Sequence, residues 1–142
     1  MKKITNNQKQ TKILGVELAE KLTVKDTILL YGELGAGKTT FTQGLAVGLG
    51  IKDRIISPTF VLQRIHEVEG REIKRMNHVD LYRIETPTVS DFLGLTDLFD
   101  DEESITIIEW AERLKEFQPK KGYLIKIKYL DENKREIDIT KI

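Results

Sequence analysis

The sequence predicts an α/β protein, a three-layer sandwich of helices around a small mixed sheet. Three observations carry this. The apolar run Thr27-Ile28-Leu29-Leu30-Tyr31 has the length of a strand and leads into a glycine-rich turn, then into a helical pattern. A second apolar run, Ile105-Thr106-Ile107-Ile108, has the same character; the two read as the central parallel pair of the sheet. Near the C-terminus two stretches alternate with period two about a turn, as in a hairpin. At 142 residues the chain is expected to form one domain, residues 1–142, with a core of its own.

Taken in order, residues 7–22 form an amphipathic helix. Leu14, Leu18 and Leu22 stack at four-residue spacing beside Gly15 and Ala19, and Asn6 or Asn7 caps the start. Strand 27–31 follows, then the glycine-rich turn, then a helix over 40–50 with Phe41, Leu45 and Leu49 on one face and a glycine at its end. Ser57-Pro58-Thr59-Phe60 reads as a loop, since Pro58 biases Ser57 toward extended backbone. Strands over 60–68 and 72–82, joined at Glu69-Gly70-Arg71, form an antiparallel ribbon. Thr88 or Ser90 caps a short helix that Gly94 ends, and the acidic stretch 97–103 reads as a solvated turn. After strand 105–108 a short helix runs through Phe117 and stops at Pro119. Strands 123–130 and 136–142 close the chain about Asp131-Glu132-Asn133-Lys134.

Composition narrows the function. The chain is 39% hydrophobic and 32% charged, as in a folded, water-soluble protein. Lys plus Arg and Asp plus Glu both total 23, so the net charge is zero and an autonomous, strongly electrostatic nucleic-acid binder is not expected. There is no cysteine, which excludes disulfides, thiolate metal sites and thiol nucleophiles. The first residues lack the apolar core of a signal peptide and no apolar run reaches membrane-spanning length. The expected location is cytoplasmic, without a membrane partner.

The glycine-rich turn is Gly32-Glu33-Leu34-Gly35-Ala36-Gly37-Lys38-Thr39, which fits G-x-x-x-x-G-K-[ST]. Its glycines let backbone N–H groups turn inward around a phosphate chain at the positive end of a helix. Lys38 adds a charge toward the β- and γ-phosphates, and the Thr39 hydroxyl is placed to ligate Mg2+. The motif in this context predicts binding of a nucleoside triphosphate and a P-loop NTPase-type fold.

Such a site needs a carboxylate near the metal. Glu109 ends the strand expected beside the loop strand, where it can reach Mg2+ or accept a proton from attacking water. Asp80 is the second candidate: at period two His78, Asp80 and Tyr82 share one strand face. Thr59, after Pro58, can bring a hydroxyl or backbone group near the γ-phosphate, as a switch-like loop does.

The phosphate loop, Ser57-Pro58-Thr59-Phe60, His78-Val79-Asp80-Leu81-Tyr82-Arg83 and Ile107-Ile108-Glu109-Trp110 together resemble the TsaE family, in the same order and over nearly the whole chain. These are small bacterial P-loop ATPases needed to make threonylcarbamoyladenosine beside the anticodon of tRNA. The resemblance implies that Gly35, Ala36, Gly37, Lys38, Thr39 and Thr40 hold the phosphates of ATP. It implies Thr39 and Glu109 as Mg2+ ligands, Asp80 as important for hydrolysis, and Arg135 near the nucleotide. It further implies action on a complex of TsaB and TsaD, with tRNA engaged only indirectly. Composition and spacing do not yield the tRNA connection.

Rival readings share the loop. A small-molecule kinase would carry an arginine-rich lid, whereas Arg64, Arg71, Arg75 and Arg83 are scattered. For a GTPase, Asp91-Phe92-Leu93-Gly94 imitates D-x-x-G, but no strand leads into it, and Glu136 replaces the aspartate of N-K-x-D. A non-hydrolysing nucleotide sensor would use the same residues as a slow ATPase.

Overall fold

A computed structural model describes residues 1–55, 63–84, 88–115 and 117–142. The elements are strand β1 (Lys2–Thr5), helix α1 (Gln8–Ala19), β2 (Thr27–Tyr31), α2 (Lys38–Gly48), β3 (Gln63–Glu67), β4 (Arg75–Asp80), α3 (Val89–Asp100), β5 (Ser104–Glu109), a 3-10 turn (Ala111–Leu114), β6 (Gly122–Tyr129) and β7 (Arg135–Lys141). The strands form one seven-stranded sheet in the order β1-β7-β6-β2-β5-β4-β3. β6, β2, β5 and β4 are parallel, while β7, β1 and β3 add antiparallel edges.

The unbroken apolar runs have their reason here. β2 and β5 are neighbours, with Thr27 opposite Thr106 and Leu30 opposite Glu109. On one face Ile28, Leu30, Ile105 and Ile107 pack with Phe41 and Leu45 of α2 and Leu14 and Leu18 of α1. On the other, Leu29 and Ile108 meet Leu95 of α3 and Leu114 of the 3-10 turn. A strand covered on both faces has no polar side to alternate.

Helix α1 starts at Asn7, whose side chain accepts from the Gln10 N–H at 2.8 Å. It ends at Ala19, short of the expected 22, though Leu22 remains buried. Its contact with α2 is close because Gly15 and Gly44 face each other. A Cβ on Gly44 would strike the carbonyl of Lys12, and one on Gly15 would lie 2.8 Å from the Leu45 nitrogen. The last hairpin turns as expected: Asp131 Oδ1 accepts from the N–H groups of Asn133 and Lys134, each at 2.8 Å.

Four expectations need correction. β1 was not expected; it is an edge strand with Lys2, Lys3 and Ile4 exposed, so no apolar alternation announces it. The helix expected to stop at Gly94 continues to Asp100, because Gly94 has ordinary helical backbone and Leu95, Leu98 and Phe99 pack under the sheet. Asp97 and Asp100 therefore lie on the exposed side of a helix, not in a turn. The ribbon is antiparallel as read, but β4 begins only at Arg75 and is also parallel to β5, so it is an interior strand buried on both faces. The loop Ser57-Pro58-Thr59-Phe60 and the start of the strand expected at 60 lie outside the described residues. Among the described residues no helix is long and apolar enough to cross a membrane.

Candidate functional site

β2 delivers the chain to the glycine-rich loop at the carboxyl end of the sheet. Gly32 passes so close to β6 that a Cβ there would lie 2.7 Å from the Ile127 carbonyl oxygen. Gly37 is the N-cap of α2 at φ 110°, a left-handed conformation that disfavours any side chain. It offers no side-chain acceptor to the helix. Among the described residues no side chain caps the first N–H groups of α2, which lie at the positive end of the helix dipole.

Lys38, the first residue of α2, is 6% exposed. Its Nζ donates to the Gly32 carbonyl at 2.6 Å and lies 4.2 Å from the centre of the Trp110 ring. Burial pulls its pKa below the ordinary lysine value, opposed in part by the charges of Glu109, Glu112 and Asp80. A buried cation of this kind is best compensated by charge-assisted hydrogen bonds to an anion.

Opposite stand the carboxylates. Asp80 and Glu109 are register partners at the ends of β4 and β5, both buried. Asp80 Oδ1 accepts from the Tyr82 N–H at 2.8 Å, and Glu109 Oε2 lies 2.6 Å from His78 Nε2. After Glu109 the backbone of Trp110 takes φ 58° and ψ 44°, rarely adopted by a bulky residue. That turn brings the indole over Lys38 and within 5.0 Å of the Tyr82 ring.

These groups line one cleft of about 500 Å³. Of the residues expected from sequence, Gly35, Gly37, Lys38, Thr39, Thr40, Asp80, Glu109 and Arg135 all face it. Ala36 is buried behind it, and its carbonyl accepts from Arg135 Nε at 2.8 Å. Thr59 lies outside the described residues. The row His78, Asp80, Tyr82 is kept in part: β4 ends at Asp80, and Tyr82 follows on a half-exposed turn. Sequence reasoning did not assign Asn7, Gln8, Thr11, Leu34, Trp110, Glu132 or Asn133 to the site, although they line the cleft. Leu34 was foreshadowed by lying within the loop motif, and Trp110 by following the candidate carboxylate.

The imitations of guanine-nucleotide motifs are accounted for. Asp91 forms a capping box with Thr88 at the start of α3, and Asn133-Lys134 belongs to the hairpin turn.

A mixed sheet covered on both faces, with a G-x-x-x-x-G-K-T loop joining a central strand to its helix and a carboxylate ending the adjacent strand, defines an α/β protein of the phosphate-loop class. Residues 5–137 match the family described as threonylcarbamoyl adenosine biosynthesis protein TsaE. The chain belongs to the TsaE family. It is 37% identical over 118 residues to the tRNA threonylcarbamoyladenosine biosynthesis protein TsaE of Haemophilus influenzae, covering 82% of this chain and 72% of that one. With the protein of the same name from a Nostoc species it shares 42% identity over 138 residues, 94% of this chain and 82% of the other. The crystal structure of Bacillus subtilis YdiB superposes with a TM-score of 0.82 at 32% identity, covering all of this chain and 85% of YdiB.

Proposed function

We propose that this protein is a Mg2+-dependent ATP-binding protein and slow ATPase that serves threonylcarbamoyladenosine modification of tRNA next to the anticodon, acting on a complex of TsaB and TsaD. The observation that carries the reading is the pairing across one cleft of Lys38 and the glycine-capped start of α2 with the buried carboxylates Asp80 and Glu109.

In this reading the loop from Gly35 to Thr40 binds the phosphates through backbone N–H groups, and Lys38 leaves Gly32 for the β- and γ-phosphates. The Thr39 hydroxyl and Glu109 are the protein's Mg2+ ligands. Hard oxygen donors suit that ion, and no group of three His, Asp or Glu gathers to hold a metal without phosphate among the described residues. Bound there, Mg2+ would neutralise charge on the phosphate oxygens. Asp80 orients the attacking water or accepts its proton, and Trp110 and Tyr82 shield the reacting end from solvent. Arg135 acts on the nucleotide through the loop carbonyls it holds. The neutral net charge favours protein partners over direct contact with tRNA.

Two measurements test it. Depleting the protein in cells and analysing tRNA nucleosides should show loss of threonylcarbamoyladenosine; unchanged levels would sink the role. ATP turnover of the purified protein should rise when TsaB and TsaD are added together, and transfer of phosphate to a metabolite panel instead would favour a kinase.

A further inference from the structure

His78 is fully buried in β4, opposite Ile107 and one pleat below the Asp80–Glu109 pair. Its Nε2 lies 2.6 Å from Glu109 Oε2, while its Nδ1 is buried with no hydrogen-bond partner among the described residues. An orphaned buried N–H is rarer and costlier than an orphaned lone pair, so the proton belongs on Nε2, which donates to the carboxylate. The same sheet face carries Met76, Ile105 and Ile107. An apolar side chain would fit that face without the cost of desolvating an imidazole. A ring buried there with one nitrogen unanswered is explained by what the other nitrogen holds.

We infer that His78 is a positioning residue for Glu109: it engages Oε2 inside the sheet, stops the carboxylate from rotating, and leaves Oε1 as the oxygen available to the cleft. This rests on the Mg2+–nucleotide reading above and deepens it, because it assigns one ligand oxygen and its support. Hydrogen bonds behind a ligand set its orientation and basicity. Glu109 reaches the site from a strand end through a flexible side chain, so without His78 its carboxylate has several rotamers to lose on binding.

The test uses the full chain with His78→Leu, which keeps an apolar filling, and His78→Gln, whose side-chain amide can donate to the same oxygen. Nucleotide affinity is measured by calorimetry with Mg2+ and with EDTA, Mn2+ binding by electron paramagnetic resonance, and the His78 tautomer by 15N NMR without nucleotide. His78→Leu should weaken metal-dependent binding roughly ten- to hundredfold, leave affinity in EDTA within about twofold, and be largely rescued by His78→Gln. The wild-type proton should sit on Nε2, with a resonance that shifts in Glu109→Gln. A folded His78→Leu protein with unchanged Mn2+ affinity, equal losses with and without metal, a folded His78→Gln that fails to rescue, or a proton on Nδ1 would each overturn the assignment. If His78→Leu does not fold, the glutamine variant and the tautomer decide. A wild-type protein that binds nucleotide but no metal beside it, with the tautomer as assigned, would instead overturn the Mg2+ reading and His78's role toward the ion with it.

Discussion

Arg135 donates its Nε hydrogen to the carbonyl of Ala36 across 2.8 Å, tying the last strand to the glycine-rich loop 99 residues earlier. Nη2 reaches the Gly35 carbonyl at 3.3 Å, and Nη1 donates to the carbonyls of Asp131 and Lys134. The guanidinium stacks 4.5 Å from the centre of the Tyr129 ring. It thus joins two consecutive loop peptides to the hairpin turn, a bridge that the single ammonium of lysine cannot span. Arg135→Ala and Arg135→Lys should each weaken ATP binding about tenfold and speed amide exchange at 35–37. Weaker binding with unchanged exchange would instead assign Arg135 a direct contact with the nucleotide.

Gly44, at the close approach of α1 and α2, and Gly94, on α3, should behave oppositely. Gly44 has Lys12 backbone where a Cβ would go. Gly44→Ala should therefore cost about 1–3 kcal/mol through forced separation of the helices. Gly94 lies in α3 with nothing among the described residues within 4 Å of a built Cβ. Gly94→Ala should stabilise by about 0.4–1 kcal/mol, by restricting the unfolded chain and favouring helix. Thermal unfolding of the two variants checks both signs. Equal shifts would mean that neither contact nor propensity governs these sites.

Much of this was legible in the residues. The loop motif and the two apolar runs specified the central strands and the helix after the loop, because fixed spacing and two-sided burial leave plain marks. Asn7 and Asp131 were legible for a local reason, since each bonds backbone N–H groups two or three residues away. What depends on register between distant strands was not. That His78 meets Glu109, or that Arg135 reaches Ala36, follows from which strands lie side by side. Gly94 misled because glycine ends helices only when the chain needs a left-handed residue, and here it does not.

The Arg75–Asp101 pair joins the start of β4 to the end of α3, with Arg75 Nη2 2.9 Å from Asp101 Oδ2. Partial burial is the largest influence on Asp101 and pushes its pKa up. The hydrogen bonds from Arg75, the Glu103 N–H and the Ser104 hydroxyl, with the Arg75 charge, together outweigh it and leave the pKa below the ordinary carboxylate value. A carboxyl whose folded pKa is depressed stabilises the fold fully above its unfolded pKa, and that contribution disappears as pH falls through the folded value. The loss should fall below about pH 4. Removing Arg75 leaves burial's upward push opposed only by the Glu103 and Ser104 hydrogen bonds, so Arg75→Ala should move acid unfolding to higher pH. Circular dichroism across an acid titration checks the direction; coincident curves would show that the pair contributes nothing.

Asp80 and Glu109 end adjacent strands as register partners, yet they are held differently. Glu109 is gripped from within the sheet by His78, whereas Asp80 accepts from the Tyr82 N–H at the strand's exit. A carboxylate braced from behind suits a ligand whose oxygen must not move when the ion arrives. One at the mouth of the turn suits a group that meets the attacking water. Glu109→Gln should accordingly weaken Mg2+-dependent ATP binding and turnover together, because amide replaces a charged ligand. Asp80→Asn should leave binding nearly intact and lower turnover, with a loss on the order of a hundredfold or more, as expected for a proton acceptor. Calorimetry with and without Mg2+, set beside turnover measured with TsaB and TsaD present, separates the two. If both variants lose ATP affinity to the same degree, the two carboxylates share the metal, and the water must be oriented by another group.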